Sequence, residues 1–396
     1  MLRSLSRTDD SVFSRWLWTV DHRLLAMFTG LIIFGVILVA AASPPVAERI
    51  GLDTYHFLFR HLMILIPSIG LLVGLSFLDV RTIWRISAVI LAGAMLAMVL
   101  VIFTGSEIKG AQRWIRLPGF SLQPSEFVKP CFAVVVAWLI AYQKTHAGFP
   151  GNKICAGLFL VIITLLMLQP DLGMTMVITM VFAAQIFIAG LAFRYLIIFG
   201  LGGVGFLVFA YHTFDHVHSR IERFLNPESG DTYQIEKSLE AFRAGGVWGV
   251  GPGQGEVKLN LPDAHADFIF SVAGEELGLL FLLLLVGLYV FILLRGFQLI
   301  MKSSCLFSVL AAGGLLVMFG LQTLVHMGSA LQLLPAKGMT LPFISYGGSS
   351  LLSTGLAAGM LLSLLRRHSR PAVSTKPTFS VQGGSSEEMK IAHDRF

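Results

Sequence analysis

The segment LPDAHADFIFSVAGEELG at residues 261–278 brings together His265, Asp267, Glu275 and Glu276, groups able to move protons or hold charge. An apolar run follows, so the two glutamates stand inside a stretch that reads as a membrane helix. Ionisable side chains are rare there and mark a functional site or a paired partner. Asp267 precedes Phe268-Ile269-Phe270 and is expected at the mouth of that helix. A carboxylate partly desolvated in such a place has its pKa raised toward working pH, and can take a proton from a sugar or water hydroxyl as a general base. An aspartate before an apolar run is also a helix cap, and both readings stay open. Glu275 and Glu276 differ by about 100° around a helix, so at most one faces a central cavity. Structural pairing is the favoured expectation for both.

Other charges extend the constellation. Glu126 and Lys129 are three residues apart and share a helix face; they form an ion pair that carries both charges into the membrane, or Glu126 holds Lys129 toward an anionic head group. Arg113, Trp114 and Arg116 fit an interfacial segment, either as a lipid anchor or as contacts to a pyrophosphate-bearing lipid. Gln169-Pro170-Asp171 reads as a tight turn that starts a helix. GGVWGVGPGQG at 245–255 is no Walker loop, since Lys258 is wrongly placed; it is expected to be a flexible part of a lid. Tyr346-Gly347-Gly348-Ser349-Ser350 could offer backbone N–H groups to an oxyanion or pack closely through small residues. The three cysteines, Cys131, Cys155 and Cys305, show no metal-ligand spacing.

These side chains must be positioned by membrane helices. The 396 residues are 55% hydrophobic and 13% charged, a balance that excludes an ordinary soluble enzyme. The apolar runs suit helices and are too long for barrel strands. The spacing predicts an all-α polytopic membrane protein with ten helices, at about 23–42, 57–78, 84–104, 126–143, 154–169, 171–190, 193–212, 268–296, 305–326 and 346–365. An even number puts both termini on one side. More than half of the 29 Lys and Arg then fall in segments sharing that side, which the positive-inside rule makes cytoplasmic. Residues 1–22 form a cytoplasmic segment, 23–366 the membrane domain and 367–396 a disordered cytoplasmic tail. The remaining cations concentrate in external loops. One carries Lys109, Arg113 and Arg116; another, at 213–267 between helices seven and eight, carries Arg220, Arg223, Lys237, Arg243 and Lys258. A third, HMGSALQLLPAKGMTLPFISYGGSS, reads as a re-entrant segment lining a cavity. Three loops on one face suggest one site.

In order along the chain, GAQRWIRLPGFSLQPSEFVKP, QPDLGM, GGVWGVGPGQG with HADFIFSVAGEELG, and LPAKGMTLPFISYGGSS resemble the SEDS family (shape, elongation, division and sporulation), and within it the cell-division branch. The resemblance implies a peptidoglycan glycosyltransferase that polymerises lipid II on the periplasmic face of the bacterial inner membrane, at the division site during septal wall synthesis. It implies Asp267 as the catalytic residue, and Arg113, Trp114, Glu126 and Lys129 in the functional cavity. Asp171, Glu275 and the turn from Tyr346 to Ser349 are further motif positions. His265 joins the substrate-binding set beside Asp267, and Arg220 and Arg223 join as candidate pyrophosphate contacts. A class B penicillin-binding protein transpeptidase and other divisome proteins are the implied partners. No nucleotide or nucleic acid is expected, and a divalent cation, Mg or Mn, could assist the leaving group. A lipid II flippase or a non-catalytic scaffold would use the same cavity differently; the flippase needs access from both faces, and the scaffold does not need Asp267.

Overall fold

The computed structural model describes residues 11–104, 106–108, 111–117, 120–190, 233–335 and 338–366, with isolated positions between 197 and 222. Arg220, Arg223 and the tail at 367–396 lie outside the described residues, as does most of the span expected at 193–212. The chain runs through α1 (Val12–Thr19), α2 (His22–Arg49), α3 (His56–Ser76), α4 (Val80–Thr104), β1 (Ser106–Ile108), β2 (Ala111–Leu117), β3 (Phe120–Leu122), α5 (Pro124–Thr145), α6 (Gly151–Leu168) and α7 (Leu172–Ile188). It continues through α8 (Tyr233–Gly245), a 3-10 turn (Val257–Asn260), α9 (Ile269–Ile300), α10 (Leu306–Ala330) and α11 (Gly348–Leu364). Seven of these helices are long and apolar enough to cross a membrane, and α7 and α11 are shorter apolar helices.

Protein, rather than lipid, surrounds two of the seven. The most apolar stretches of α5 and α10 are 78% and 72% buried, against 22–33% in the other five, so they form the centre of the bundle. Around them α4 packs on α5, α7 on α10, and α9 on both α10 and α2, while α11 lies along α3. Outward-facing Ile33, Ile66, Phe103 and Leu160 remain exposed, as expected where hydrocarbon is the solvent.

Prolines inside these helices free carbonyls that distant side chains then occupy. Pro130 has no N–H for the carbonyl of Glu126 four residues earlier, and the Ser353 hydroxyl donates to that oxygen at 2.6 Å. Pro45 likewise frees the Ala41 carbonyl, which accepts from Lys258 Nζ at 3.0 Å. Helix α2 therefore runs to Arg49, well beyond the boundary expected at residue 42. The all-α expectation needs one correction. The loop after α4 is an antiparallel sheet in the order β1-β2-β3, with Trp114 opposite Ser106 and Ile115 opposite Leu122. In Arg113-Trp114-Ile115-Arg116 each strand face takes one cation and one apolar residue, Arg113 with Ile115 and Trp114 with Arg116, and Pro118-Gly119, a turn dipeptide, stands between β2 and β3 in the sequence.

Candidate active site

Helix α9 is broken where it carries its glutamates. Gly278 adopts φ 74°, ψ −178°, a conformation open essentially to glycine, and the helical ladder is interrupted on both sides of it. The loop after α8 repairs the interruption. Val250 and Gly251 donate to the carbonyls of Glu275 and Glu276, while Leu279 and Leu280 donate to the carbonyls of Gly246 and Val247. The backbone approach is so close that a Cβ on Gly249 would collide with the Glu276 carbonyl.

Both glutamate side chains hold that loop. The carboxylate of Glu275 accepts from the backbone N–H groups of Val257 and Lys258, at 2.6 and 3.0 Å. Glu276 accepts from Gly253 N at 3.0 Å and pairs with the buried ammonium of Lys258. The segment expected as a flexible lid is thus clamped to α9 at residues 250–258, because each buried carboxylate must find donors. Glu275, a candidate substrate contact in the sequence, has both oxygens engaged by the loop.

Asp267 stands at the foot of this assembly. Helix α9 starts at Ile269 with Phe268 at its cap position, so the aspartate lies one residue outside the position a capping side chain would take. It is half-buried, and its backbone N–H donates to Asp263 O at 3.0 Å. A Cβ on Gly338 would lie 3.4 Å from the carboxylate, so the segment between α10 and α11 passes directly against it. His326 Nδ1 and the next carbonyl of that segment, at Met339, are 2.7 Å apart. Two residues before Asp267, the buried His265 ring stacks on Phe57 with centroids 4.3 Å apart and lies 5.0 Å from Tyr346. Tyr346 N donates to His265 O at 2.9 Å. Burial pushes the His265 imidazole down to about 4, against a smaller opposing effect of Asp263. The ring is therefore neutral at pH 7.

The first two turns of α11 tie this corner to the other charged elements. Ser349 Oγ accepts from Gln123 N at 2.8 Å and donates to Ser121 O at 3.1 Å, locking β3 and the start of α5. One turn later Ser353 meets the Glu126 carbonyl. Below it Lys129 Nζ and Glu126 Oε2 are 2.7 Å apart and buried. The separation is that of an ion pair, yet the angles are wrong for a hydrogen bond, and neither atom has another partner. We take the contact as a real charge pair with unsatisfied donors, since an ammonium carries three N–H groups. Arg113 lies on β2, where Nε donates to Gln169 O at 2.8 Å, another guanidinium nitrogen donates to Pro170 O, and Asp171 is 3.8 Å away. Asp171 caps α7 by accepting from Met174 N at 3.3 Å. Arg113 thus fastens the sheet to the turn between α6 and α7; Trp114 beside it is half-buried.

The sequence reading missed His61, which sits on α3 with its ring 6.4 Å from that of Tyr346. It is buried, and neither ring nitrogen has a hydrogen-bond partner. A histidine within an apolar span is the signal that could have found it. Among the described residues no three His, Cys, Asp or Glu side chains converge as a metal site.

Comparison with known proteins agrees with this architecture. The model of the FtsW, RodA and SpoVE cell cycle proteins matches residues 22–370. The chain belongs to this family. The probable peptidoglycan glycosyltransferase FtsW of Caulobacter vibrioides is 44% identical over 367 residues, covering 92% of this chain and 94% of that protein. Its namesake in Escherichia coli O157:H7 is 35% identical over 354 residues, covering 87% and 85%. Among solved structures, a chain from a peptidoglycan synthase complex that coordinates polymerization and crosslinking aligns with a TM-score of 0.72 at 29% identity, covering 87% of this chain and 97% of that one. The rod shape determining protein RodA of Thermus thermophilus aligns at 0.64 and 27% identity, covering 87% and 96%. A chain of a peptidoglycan synthase complex and a rod shape determining protein therefore share this fold.

Proposed function

We propose that this protein is a peptidoglycan glycosyltransferase that polymerises lipid II on the periplasmic face of the bacterial inner membrane, at the division site. The observation that carries the mechanism is the half-buried Asp267 carboxylate, outside the cap position of α9 and against Gly338. Asp267 removes the proton from the 4-hydroxyl of the acceptor's terminal N-acetylglucosamine. That oxygen attacks the anomeric carbon of N-acetylmuramic acid on the donor and forms the new glycosidic bond. The bond from the same carbon to pyrophosphate breaks with inversion, and undecaprenyl pyrophosphate leaves with the electron pair. Lys129, with donors to spare, stabilises the growing negative charge, a contribution that is usually the largest in catalysis. Arg220 and Arg223 are further cations proposed for the same role.

The seven membrane-length helices, α7, α11 and the segment 193–212 make the ten spans of the proposed topology. Both termini are cytoplasmic, and the ends carrying Asp267, β1–β3 and the 3-10 turn are periplasmic. The partner is a class B penicillin-binding protein transpeptidase, a reading supported by the complex in which the structural relative was solved. The test is polymer formation from purified protein, this partner and lipid II. Wild type should yield glycan strands, and Asp267→Ala should lose at least about 100-fold, the lower range for removing a general base. A mutant that still polymerises would remove Asp267 from the chemistry; a wild type that makes no polymer where a known relative does would favour transport or scaffolding.

A further inference from the structure

The end of the molecule opposite Asp267 contains a cavity of about 600 Å³ that the proposed reaction does not use. It forms where the start of α4, the end of α5, the turn between α9 and α10, and the end of α11 meet. From Ile269 to Ile300 at ~1.5 Å per residue, α9 puts it on the order of 45 Å from the candidate active site.

The lining selects an anion. Arg81, Lys302 and Arg366 contribute three positive charges, and no carboxylate is among the lining residues. Asp79, adjacent in sequence and outside the lining, accepts from the Thr82 hydroxyl and also attracts Arg366, so it offsets part of that one charge and leaves Arg81 and Lys302 to set the sign. Arg366 donates to the carbonyls of Phe77 and Ser76 at 2.9 and 3.2 Å, so it supplies a charge held in place, whereas Lys302 is exposed in the turn. Cys305, Phe307 and Ser308 bring the start of α10 to the same space. Its cap residue makes no side-chain hydrogen bond, which leaves the positive end of the helix dipole uncompensated there.

The lining also selects an amphiphile over a bare ion. Trp84 stacks on Trp138 with centroids 4.2 Å apart, and Trp138 on Tyr142 at 5.1 Å. One wall is therefore a continuous run of aromatic rings at the ends of spanning helices, the depth of lipid head groups. We infer that this cavity binds the phosphate head group of an anionic phospholipid, taken from the cytoplasmic leaflet in the orientation proposed above. Basic recesses between membrane helices on that side suit such head groups.

Two measurements on the purified full-length protein test the site, and neither depends on polymerase activity. Native mass spectrometry after equilibration with equal amounts of phosphatidylglycerol and phosphatidylcholine should show preferential retention of phosphatidylglycerol, by roughly fivefold or more for a three-cation site. The paired substitution Lys302→Glu with Ser304→Glu, both at exposed positions, should abolish the preference while the protein remains monodisperse. Cys305 is the exposed one of the three cysteines and lines the cavity. Phosphatidylglycerol should slow its alkylation by an uncharged maleimide in wild type and not in the paired variant. Equal retention of the two lipids, an unchanged preference in the variant, or unprotected Cys305 would each overturn the proposal. Displacement of phosphatidylglycerol by glycerol phosphate at equal concentration would overturn the lipid and identify a soluble phosphate as the ligand.

Discussion

At the scale of single residues, the candidate site sets one half-buried carboxylate beside a neutral imidazole and near a buried charge pair. His265 is neutral because burial depresses its folded pKa to about 4, below its ordinary value of 6.5. Above pH 6.5 both folded and unfolded states keep it neutral and it has no effect on stability. As the pH falls from 6.5 toward 4, the unfolded chain binds the proton first and the folded state is penalised, by roughly 2 kcal/mol at pH 5. The loss of melting temperature between pH 7 and pH 5 should therefore be smaller in His265→Phe than in wild type; an equal loss would place the acid sensitivity elsewhere. Lys129 makes a different prediction. Its ammonium is buried beside Glu126 without an aligned hydrogen bond, so Lys129→Met should lower polymer formation by more than tenfold while the protein still accumulates in membranes. If the variant instead fails to accumulate, its main work is neutralising Glu126. Asp267, His265 and the Glu126–Lys129 pair were legible because charge in an apolar context stands out. The engagement of Arg113 with the Gln169–Pro170 carbonyls was not, since a cation in a loop looks the same whether it holds backbone or substrate.

At the scale of elements, the proline-freed carbonyls and the broken α9 show how irregular backbone is tolerated in a spanning bundle. Each freed carbonyl named above receives one donor from another element, and the donor should be costly to remove. Ser353→Ala strands the Glu126 carbonyl and should cost about 1–3 kcal/mol, visible as a lower melting temperature in detergent. Glu276→Gln leaves the buried Lys258 ammonium without its anion, and should cost about 3–5 kcal/mol. The double variant with Lys258→Met should recover part of that loss, and a double variant as unstable as the single would show that the ion pair was not the cause. Hydropathy read the helices well because lipid imposes their length. It did not read the sheet at 106–122, whose strands are short and whose apolar face is shared with cations. Nor could it foresee the clamped glycine-rich loop, because apart from the Lys258 ammonium the donors to Glu275 and Glu276 are backbone groups, which every residue carries except proline.

At the scale of the whole molecule, the protein is polar at both ends and apolar between, with a different chemistry at each end. The Asp267 end is knit by loops and a small sheet. The other is fastened by side chains, among them Arg295 to Asp21 at 2.6 Å and the Trp16 indole to Ser76 at 2.8 Å. The proposed orientation predicts that Cys305 in intact spheroplasts resists a membrane-impermeant thiol reagent until the membrane is opened, whereas a cysteine introduced as Asn260→Cys reacts from outside. The reverse pattern would invert the topology. Composition alone established the membrane class; which loops meet was decided by contacts hundreds of residues apart, such as Ser349 with Ser121, that no local pattern encodes. The break at Gly278 has a mechanical meaning. Asp267 lies just before a short stub of α9, from Ile269 to Leu277, that is bonded to the loop after α8 through backbone and carboxylates. Because the loop also accepts from Leu279 and Leu280 beyond the break, it splints the two pieces of α9 across Gly278, so the placement of Asp267 relative to the long helix depends on the loop as much as on the helix itself.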